Sequence, residues 1–374
     1  MRIVRVETHP VRIPLKPERR MISALGRHEV SDFLLVRLVT DDGLEGVGEA
    51  TVTVNWSGET IWGARAIIDH IFAPVVLGCD PTDLDEIDRR LGVVAIDNWF
   101  AKAAVEMACW DIAGRAAGKP VYDLLGGPCR SRTVRNRFSL GAYEPDVAQE
   151  RASALVAAGF DTIKVKVGTD PAADVRRVRA VREAIGPAIT LTIDANGGWD
   201  EPTALACLEQ LADCRLALVE QPLPRGNYTG LKRLRVRTGQ VILADESCFD
   251  EVEARELIAQ ECCDVLSLYP GKQGGIGKAR RIAALAAEHG IPCTIGSNLE
   301  WDLGASAMLH FIVGTPNVQV ERFPGDCLGP FYHEFSIARN PLPIAVPDIT
   351  LHDGPGLGIE VDWDVVARHR IAGV

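Results

Sequence analysis

Two lysines two residues apart, Lys164 and Lys166, close the β-branched run from Phe160 to Gly168, FDTIKVKVG. Side chains alternate across a strand, so both ammonium groups point to one side. Held together they repel, and desolvation also favours the neutral amine, so one of them is expected to ionise well below a free lysine and to serve as a base. In isolation the pair reads equally as two lysines snorkelling from a solvated strand end. Downstream, Asp194, Glu220 and Asp245 each close a short apolar run, in ITLTID, LALVEQP and VILAD. Any one acid in such a place can be a cap for the next helix, and Asp194 ahead of Ala195-Asn196-Gly197 suits that use. Three acids converging from successive strand ends would be forced to protonate without a counter-ion. All-oxygen ligation suits magnesium, with manganese as a second choice, and no histidine at a strand end argues for zinc. Such a cation would hold a substrate carboxylate and absorb the charge that develops when the adjacent carbon loses its proton to Lys166. The intermediate would be an enolate.

That chemistry needs a scaffold that brings strand ends together. From Thr133 onward short apolar strands alternate strictly with amphipathic helices. The strands read as TVRNRFSL, TIKVKV, ITLTID, LALVEQP, VILAD, DVLSLY, PCTIGS and NVQVER, with seven helices between them at a spacing of roughly 25 residues, which predicts a parallel barrel. An open doubly wound sheet is the alternative, but no phosphate-binding glycine fingerprint follows the first strand. Barrel active sites lie at the carboxyl ends of the strands, where all five residues fall.

Residues 1–130 read as a separate α+β unit. Antiparallel strands IVRVETHPVRI and DFLLVRLVTDDGLEGVGEA come first, the latter turning at Asp-Asp-Gly, and helices follow from Ile61 to Gly126. FAKAAVEMACWDIAGRAAG reads as an Ala-rich amphipathic helix stopped by Gly118 and Pro120. The polar stretch PERRMISALGRHEVS is too long for a tight connection, and loops of that kind often act as lids. The expected division is 1–130 as a cap, 131–325 as the barrel and 326–374 as a tail packing back on the cap.

The 374 residues include 40 basic and 51 acidic side chains, for a net charge of −11. Wholesale binding to nucleic-acid phosphates is disfavoured. Apolar residues at 47% and charged residues at 24% are ordinary for a globular enzyme. The ten cysteines show no Cys-x-x-Cys spacing and read as reduced core residues. With no signal peptide and no membrane-length apolar run, a cytoplasmic protein is expected.

Together Lys164-Val165-Lys166, IDANGGW, VEQPL, ADES and GKQGGIGKA resemble the enolase superfamily, specifically its muconate lactonizing enzyme subgroup, over nearly the whole chain. The resemblance implies a modified TIM barrel, (β/α)7β, with an α+β capping domain. It implies one magnesium ion on Asp194, Glu220 and Asp245, proton abstraction next to the carboxylate of a small molecule, and a homo-oligomer, dimer or octamer. Elimination or cycloisomerisation is the expected outcome, with racemisation or epimerisation of an amino-acid derivative, or a non-catalytic binding barrel, as alternatives.

The chain departs from that pattern in places. A second catalytic lysine usually ends the sixth strand of these relatives, where this chain has Tyr269. Lys272, three residues on, reads either as the replacement or as a loop lysine beside a glycine turn. A phenol is normally neutral, so Tyr269 in that place makes two-base racemisation doubtful. The histidine of the mandelate racemase branch is replaced by Ser297-Asn298-Leu299-Glu300. Glu300 is expected to act as a metal-side acid or hydrogen-bond partner, with Asn298 beside it in contact with substrate. The eighth strand is read as ending at Glu321 and Arg322, without the Asp-x-Asp of dipeptide epimerases. Arg322 there suits a further anionic or polar substrate group, or else a surface salt bridge. His28 and Trp56, on the two irregular segments of the cap, are candidates for the pocket mouth, although a lone histidine is usually a surface residue.

Overall fold

The computed structural model describes residues 1–373. Strand β1 (Ile3–Pro14) is followed by the hairpin β2 (Met21–Ser23) and β3 (Gly26–His28), then by β4 (Val30–Thr40) and β5 (Glu45–Val52). An antiparallel sheet forms in the order β1-β4-β5, turning at Asp41-Asp42-Gly43. The polar stretch expected as a loop is ordered into a short turn at Pro17–Arg19 and the β2–β3 hairpin.

The helix Trp99–Ala117 departs from its expected amphipathic character. Every residue from Phe100 to Gly114 is buried, because the helix is packed by the cap sheet on one side and by barrel elements on the other. The sheet comes so close that a Cβ on Gly48 would lie 1.9 Å from the Ala104 carbonyl oxygen. Gly118, with φ of +63°, ends the helix in the left-handed region.

The strand expected over TVRNRFSL is split. β6 (Thr133–Arg135) leaves the barrel, and β7 (Phe138–Leu140) begins it. The barrel continues through β8 (Thr162–Lys166), β9 (Thr190–Asp194), β10 (Leu218–Glu220), β11 (Ile242–Ala244), β12 (Val265–Leu268) and β13 (Cys293–Ile295), parallel and in sequential order. Seven helices alternate with these strands, from Pro145–Ala157 to Asp302–Val313. Asp170, Asp200, Asn227 and Asp250 each cap a helix start with a side-chain oxygen. Of the expected eighth strand only one bridge remains, Val318 to Cys293. The chain then turns on Gln319, whose carbonyl accepts from the amides of Arg322 and Phe323, and returns so that the Gly325 carbonyl accepts from Arg137 N–H. In the tail, β14 (Ile344–Ala345) and β15 (Asp348–Thr350) pair with β6, and further tail residues bridge to the cap at Val11 and Leu15.

Buried carboxylates join the cap to barrel helices. Glu49 on β5 accepts from the Trp301 and Gly304 amides at the start of Asp302–Val313. Glu106 accepts from the Ile276 and Gly277 amides, opening the helix Ile276–Glu288. Each meets unsatisfied N–H groups and the positive end of a helix dipole. Burial nevertheless pushes both carboxyls up to about 7.

His310 shows what the same core does to a base. Its Nδ1 accepts the Tyr122 N–H at 3.1 Å, and burial lowers its pKa to about 3. The fold holds the neutral ring, so this contribution is complete above the unfolded pKa of 6.5 and is lost as pH falls towards 3, by about 1.4 kcal/mol per unit. In denaturant titrations from pH 7 to 4, His310→Asn should lose stability less steeply than wild type. Parallel profiles would refute the assignment.

Candidate active site

Strand register sets the centre of the site. Lys166 on β8 lies beside Asp194 on β9, which lies beside Glu220 on β10, and Asp245 follows β11 directly. Lys164 Nζ donates to Asp194 Oδ2 at 3.0 Å and to Glu220 Oε1 at 2.9 Å. Arg137, just ahead of β7, donates to Glu220 Oε2 at 3.1 Å. Lys166 Nζ donates to Asp194 Oδ2 and, at 2.8 Å, to Asn196 Oδ1. Asn196 in turn donates to Glu246 Oε1, which also accepts the Trp56 indole N–H at 3.0 Å. Asn196, Gln221 and Leu299, in the loops after three barrel strands, hold positive φ values of 43°, 35° and 62°. Backbone strain of this kind gathers where side chains must be aimed.

The expected acid lysine is not found at Lys164. Burial lowers its pKa, but Asp194 and Glu220 outweigh that, and the net shift is upward. Attraction to two carboxylates exceeds repulsion by a second ammonium. Asp194 is held below the usual carboxylate range because Lys164 and Lys166 overcome its burial, whereas burial and the neighbouring Asp194 raise Glu220. Lys272 is no loop lysine. It is fully buried, and its three N–H groups are taken by Asp245 Oδ1 at 2.7 Å, Asp245 O at 2.9 Å and Ser267 O at 2.7 Å.

Asp194, Glu220 and Asp245 line one cavity with Lys164 and Lys166. It holds about 660 Å³ of free volume, its open mouth included. Among the described residues no three acidic, cysteine or histidine side chains converge as a ready cage for a cation. Lys164 Nζ instead bridges Asp194 and Glu220, and Lys272 holds Asp245. The donors are nevertheless hard oxygens facing one space, and Glu246 Oε2 beside them is buried without a partner. That set fits a divalent ion of the magnesium kind.

Tyr269 is fully buried, with its hydroxyl unpartnered. Burial, then Asp245, Glu300, Glu246 and Glu220, raise its pKa well above 10. A Cβ at Gly296 would meet the Tyr269 ring at 2.5 Å, so glycine there makes room for the ring. Glu300 is buried under the pocket-lining pair Ser297 and Asn298, accepting from the Ser297 hydroxyl at 2.7 Å and from the Asn298 amide, and burial pushes its pKa up to about 7. Trp56, His28 and Asn298 line the cavity as expected candidates for its walls.

Glu321 and Arg322 do not reach it. The turn on Gln319 swings both outward, leaving Glu321 paired with Arg130 and Arg322 over the Phe323 ring. Asp326 occupies the wall instead, buried and accepting from Ser139 Oγ at 3.0 Å. Sequence reasoning missed Asp326 because it ended the eighth strand five residues early. It also missed Arg137 and Ser139, although their two-residue spacing in NRFSL was the signal for a shared inward face.

Residues 3–126 match the family model described as mandelate racemase / muconate lactonizing enzyme, N-terminal domain, and residues 147–365 match enolase C-terminal domain-like. The chain belongs to the mandelate racemase / muconate lactonizing enzyme family of the enolase superfamily. It is 36% identical to a hydrophobic dipeptide epimerase from Enterococcus faecalis over 85% of this chain and 89% of that one. It is 32% identical to muconate cycloisomerase 1 from Rhodococcus opacus over 97% of each. Among solved structures, N-succinyl Arg/Lys racemase from Bacillus cereus superposes with a TM-score of 0.95 at 28% identity, covering 99% of this chain and 98% of that one. A dipeptide epimerase from E. faecalis, solved with Mg and L-Leu-L-Tyr, gives 0.91 at 34% identity, covering 96% and 100%. The family's fold is therefore the one seen here, an incomplete barrel under a cap.

The two outer lysines of this family member should separate by stability. Lys272→Met strands a buried carboxylate and should cost about 3 kcal/mol in urea unfolding. Lys166→Met leaves Asp194 its bond from Lys164 and should cost under about 1 kcal/mol. Equal losses would contradict the roles assigned.

Proposed function

We propose that this enzyme removes the proton next to the carboxylate of a small organic acid through Lys166, on one face of the carbon, and completes an elimination or cycloisomerisation. One observation carries the reading: only one of the site's lysines is free to act as a base. Lys272 has spent its three donors on buried oxygens, and Lys164 is fixed as a cation between two carboxylates. Lys166 lines the cavity with two bonds made and one position open. Asn196 aims its amine, and Glu246 with Trp56 holds Asn196 in turn.

Asp194, Glu220 and Asp245 would hold a magnesium or manganese ion, which supplies positive charge to the substrate carboxylate and so makes the adjacent carbon more acidic. Tyr269 supports a one-base outcome. A phenol raised well above its ordinary pKa is not a base near neutrality, but its free hydroxyl can donate to charge developing on a leaving group. Ten unpaired thiols, nine of them buried, suit a reducing cytoplasm.

Epimerisation of an amino-acid derivative is the second reading, favoured by Asp326. That buried carboxylate on the cavity wall suits a cationic or hydrogen-bond-donating group, and two of the relatives are named as a dipeptide epimerase and an N-succinyl amino-acid racemase.

The readings separate in deuterium oxide with magnesium, using hydroxy acids, acid sugars, muconate, N-acyl amino acids and dipeptides followed by proton NMR. One-base chemistry predicts that one stereoisomer reacts or exchanges and its mirror image does not. Lys166→Ala should abolish exchange, a loss of at least about 10³-fold. Tyr269→Phe should slow product formation by about 10²-fold while exchange persists. Exchange with inversion at both stereoisomers would establish the second reading instead, and exchange surviving Lys166→Ala would refute both.

A further inference from the structure

His28, on the β2–β3 hairpin over the cavity, is tied to the tail of the chain through one serine. Its Nε2 lies 2.8 Å from Ser31 Oγ, and the same oxygen lies 3.1 Å from Nε2 of His333. Ser31 and His333 are buried, at 2% and 1% exposure, so no solvent competes for these bonds. Burial keeps both rings neutral, since it lowers both pKa values, that of His333 to about 3. A hydroxyl has one proton to give. Ser31 must therefore donate to one imidazole and accept from the other.

The surroundings of His333 choose between the two arrangements. Its Nδ1 is buried with no close partner, and the backbone group that stabilises a proton on the ring is that of Gly329. With the proton on Nδ1, that buried nitrogen is a donor near a carbonyl. With the proton on Nε2, a bare lone pair would face the same oxygen. The first arrangement is favoured, so His333 Nε2 accepts from Ser31. Ser31 then has no proton left for His28, whose Nε2 must donate. The other nitrogen of His28, Nδ1, makes no hydrogen bond within the described residues, and His28 lines the cavity that holds Lys166.

We propose that His333, acting through Ser31, fixes His28 as the Nε2–H tautomer, so that its Nδ1 offers a hydrogen-bond acceptor to the active-site cavity and selects carboxylates bearing an N–H or O–H donor. His28 is then a specificity residue, and Ser31 and His333 are positioning residues. Asp326 lies on the wall of the same cavity, so both groups demand a donor from the ligand. The proposal rests on the carboxylate reading of the site for the class of ligand, but the tautomer itself does not.

Two measurements test it on the full chain, and neither needs turnover. Histidine labelled with ¹⁵N, with the His28 signals identified by their loss in His28→Gln, should show an unprotonated Nδ1 in wild type and a mixture of tautomers in Ser31→Ala. A protonated Nδ1 at His28 in the wild type overturns the proposal. Calorimetry with magnesium present should find N-acetyl-L-leucine bound about 10-fold tighter than the analogue with ester oxygen in place of the amide N–H, a ratio that falls to about one in His28→Leu. A wild type that binds both equally or neither, or a ratio that survives His28→Leu, overturns the recognition step. If no acid exchanges its α-hydrogen, the carbon-acid reading fails while both of these readouts still decide the role of His28.

Discussion

Everything at the barrel mouth depends on a balance of buried charge. Asp194, Glu220, Asp245 and Glu246 face Lys164, Lys166, Arg137 and Lys272 with almost no exposure to water. Any one of these groups alone would be expelled or neutralised, because the desolvation of an unpaired ion in a protein interior costs several kcal/mol. Together they form a network that holds its shape. Glu220 shows the margin, for even with Lys164 and Arg137 in contact its burial and the charge of Asp194 leave its pKa raised. A site with this excess of oxygen donors is prepared for one more cation, and the same compactness pins two of its three lysines as structural charges.

The cap is bound into this arrangement by groups of the same kind. Glu49 and Glu106 reach from the cap to the amide ends of two barrel helices, and Asp111 accepts from Val47 on the sheet and Leu357 in the tail. Helix ends carry unsatisfied donors at fixed places, so a carboxylate set against one locks both rotation and distance. Trp56 extends that control to the reacting region, because its indole N–H ends on Glu246, which orients Asn196 and through it Lys166. The aim of the base is thus set partly by a residue of the cap.

Much of this was legible before any coordinates, and the failures have physical causes. The metal-side acids and the lysine pair stood out because period-2 alternation and strand-end position are local properties. Register in a parallel barrel then places them side by side. Lys272 was misjudged because a glycine-rich sequence suggests an open turn, whereas Pro270–Gln273 forms a short helical turn that buries the lysine against Asp245. The eighth strand was misplaced because VQVER has the composition of a strand, while the turn on Gln319 depends on tertiary packing. Alanine-rich Trp99–Ala117 was called one-sided because nothing local shows that a helix will be enclosed on both sides. Glu49 gave no signal at all, since its partner amides lie about 250 residues away.

A tyrosine at the end of β12 changes what the network can do. Gly296 admits the ring, Trp56 lies against it with centroids 5.8 Å apart, and Lys272 Nζ stands 4.7 Å from the ring centre. A lysine side chain in that place would bring a fifth positive charge to a cluster already matched four to four. The hydroxyl instead adds a donor without a charge, and the surrounding acids make loss of its proton still harder. Electrostatics therefore favours an asymmetric site, with a base on the β8 side and a neutral donor on the β12 side, and asymmetry of that kind suits reactions that remove a proton from one face and do not return it to the other.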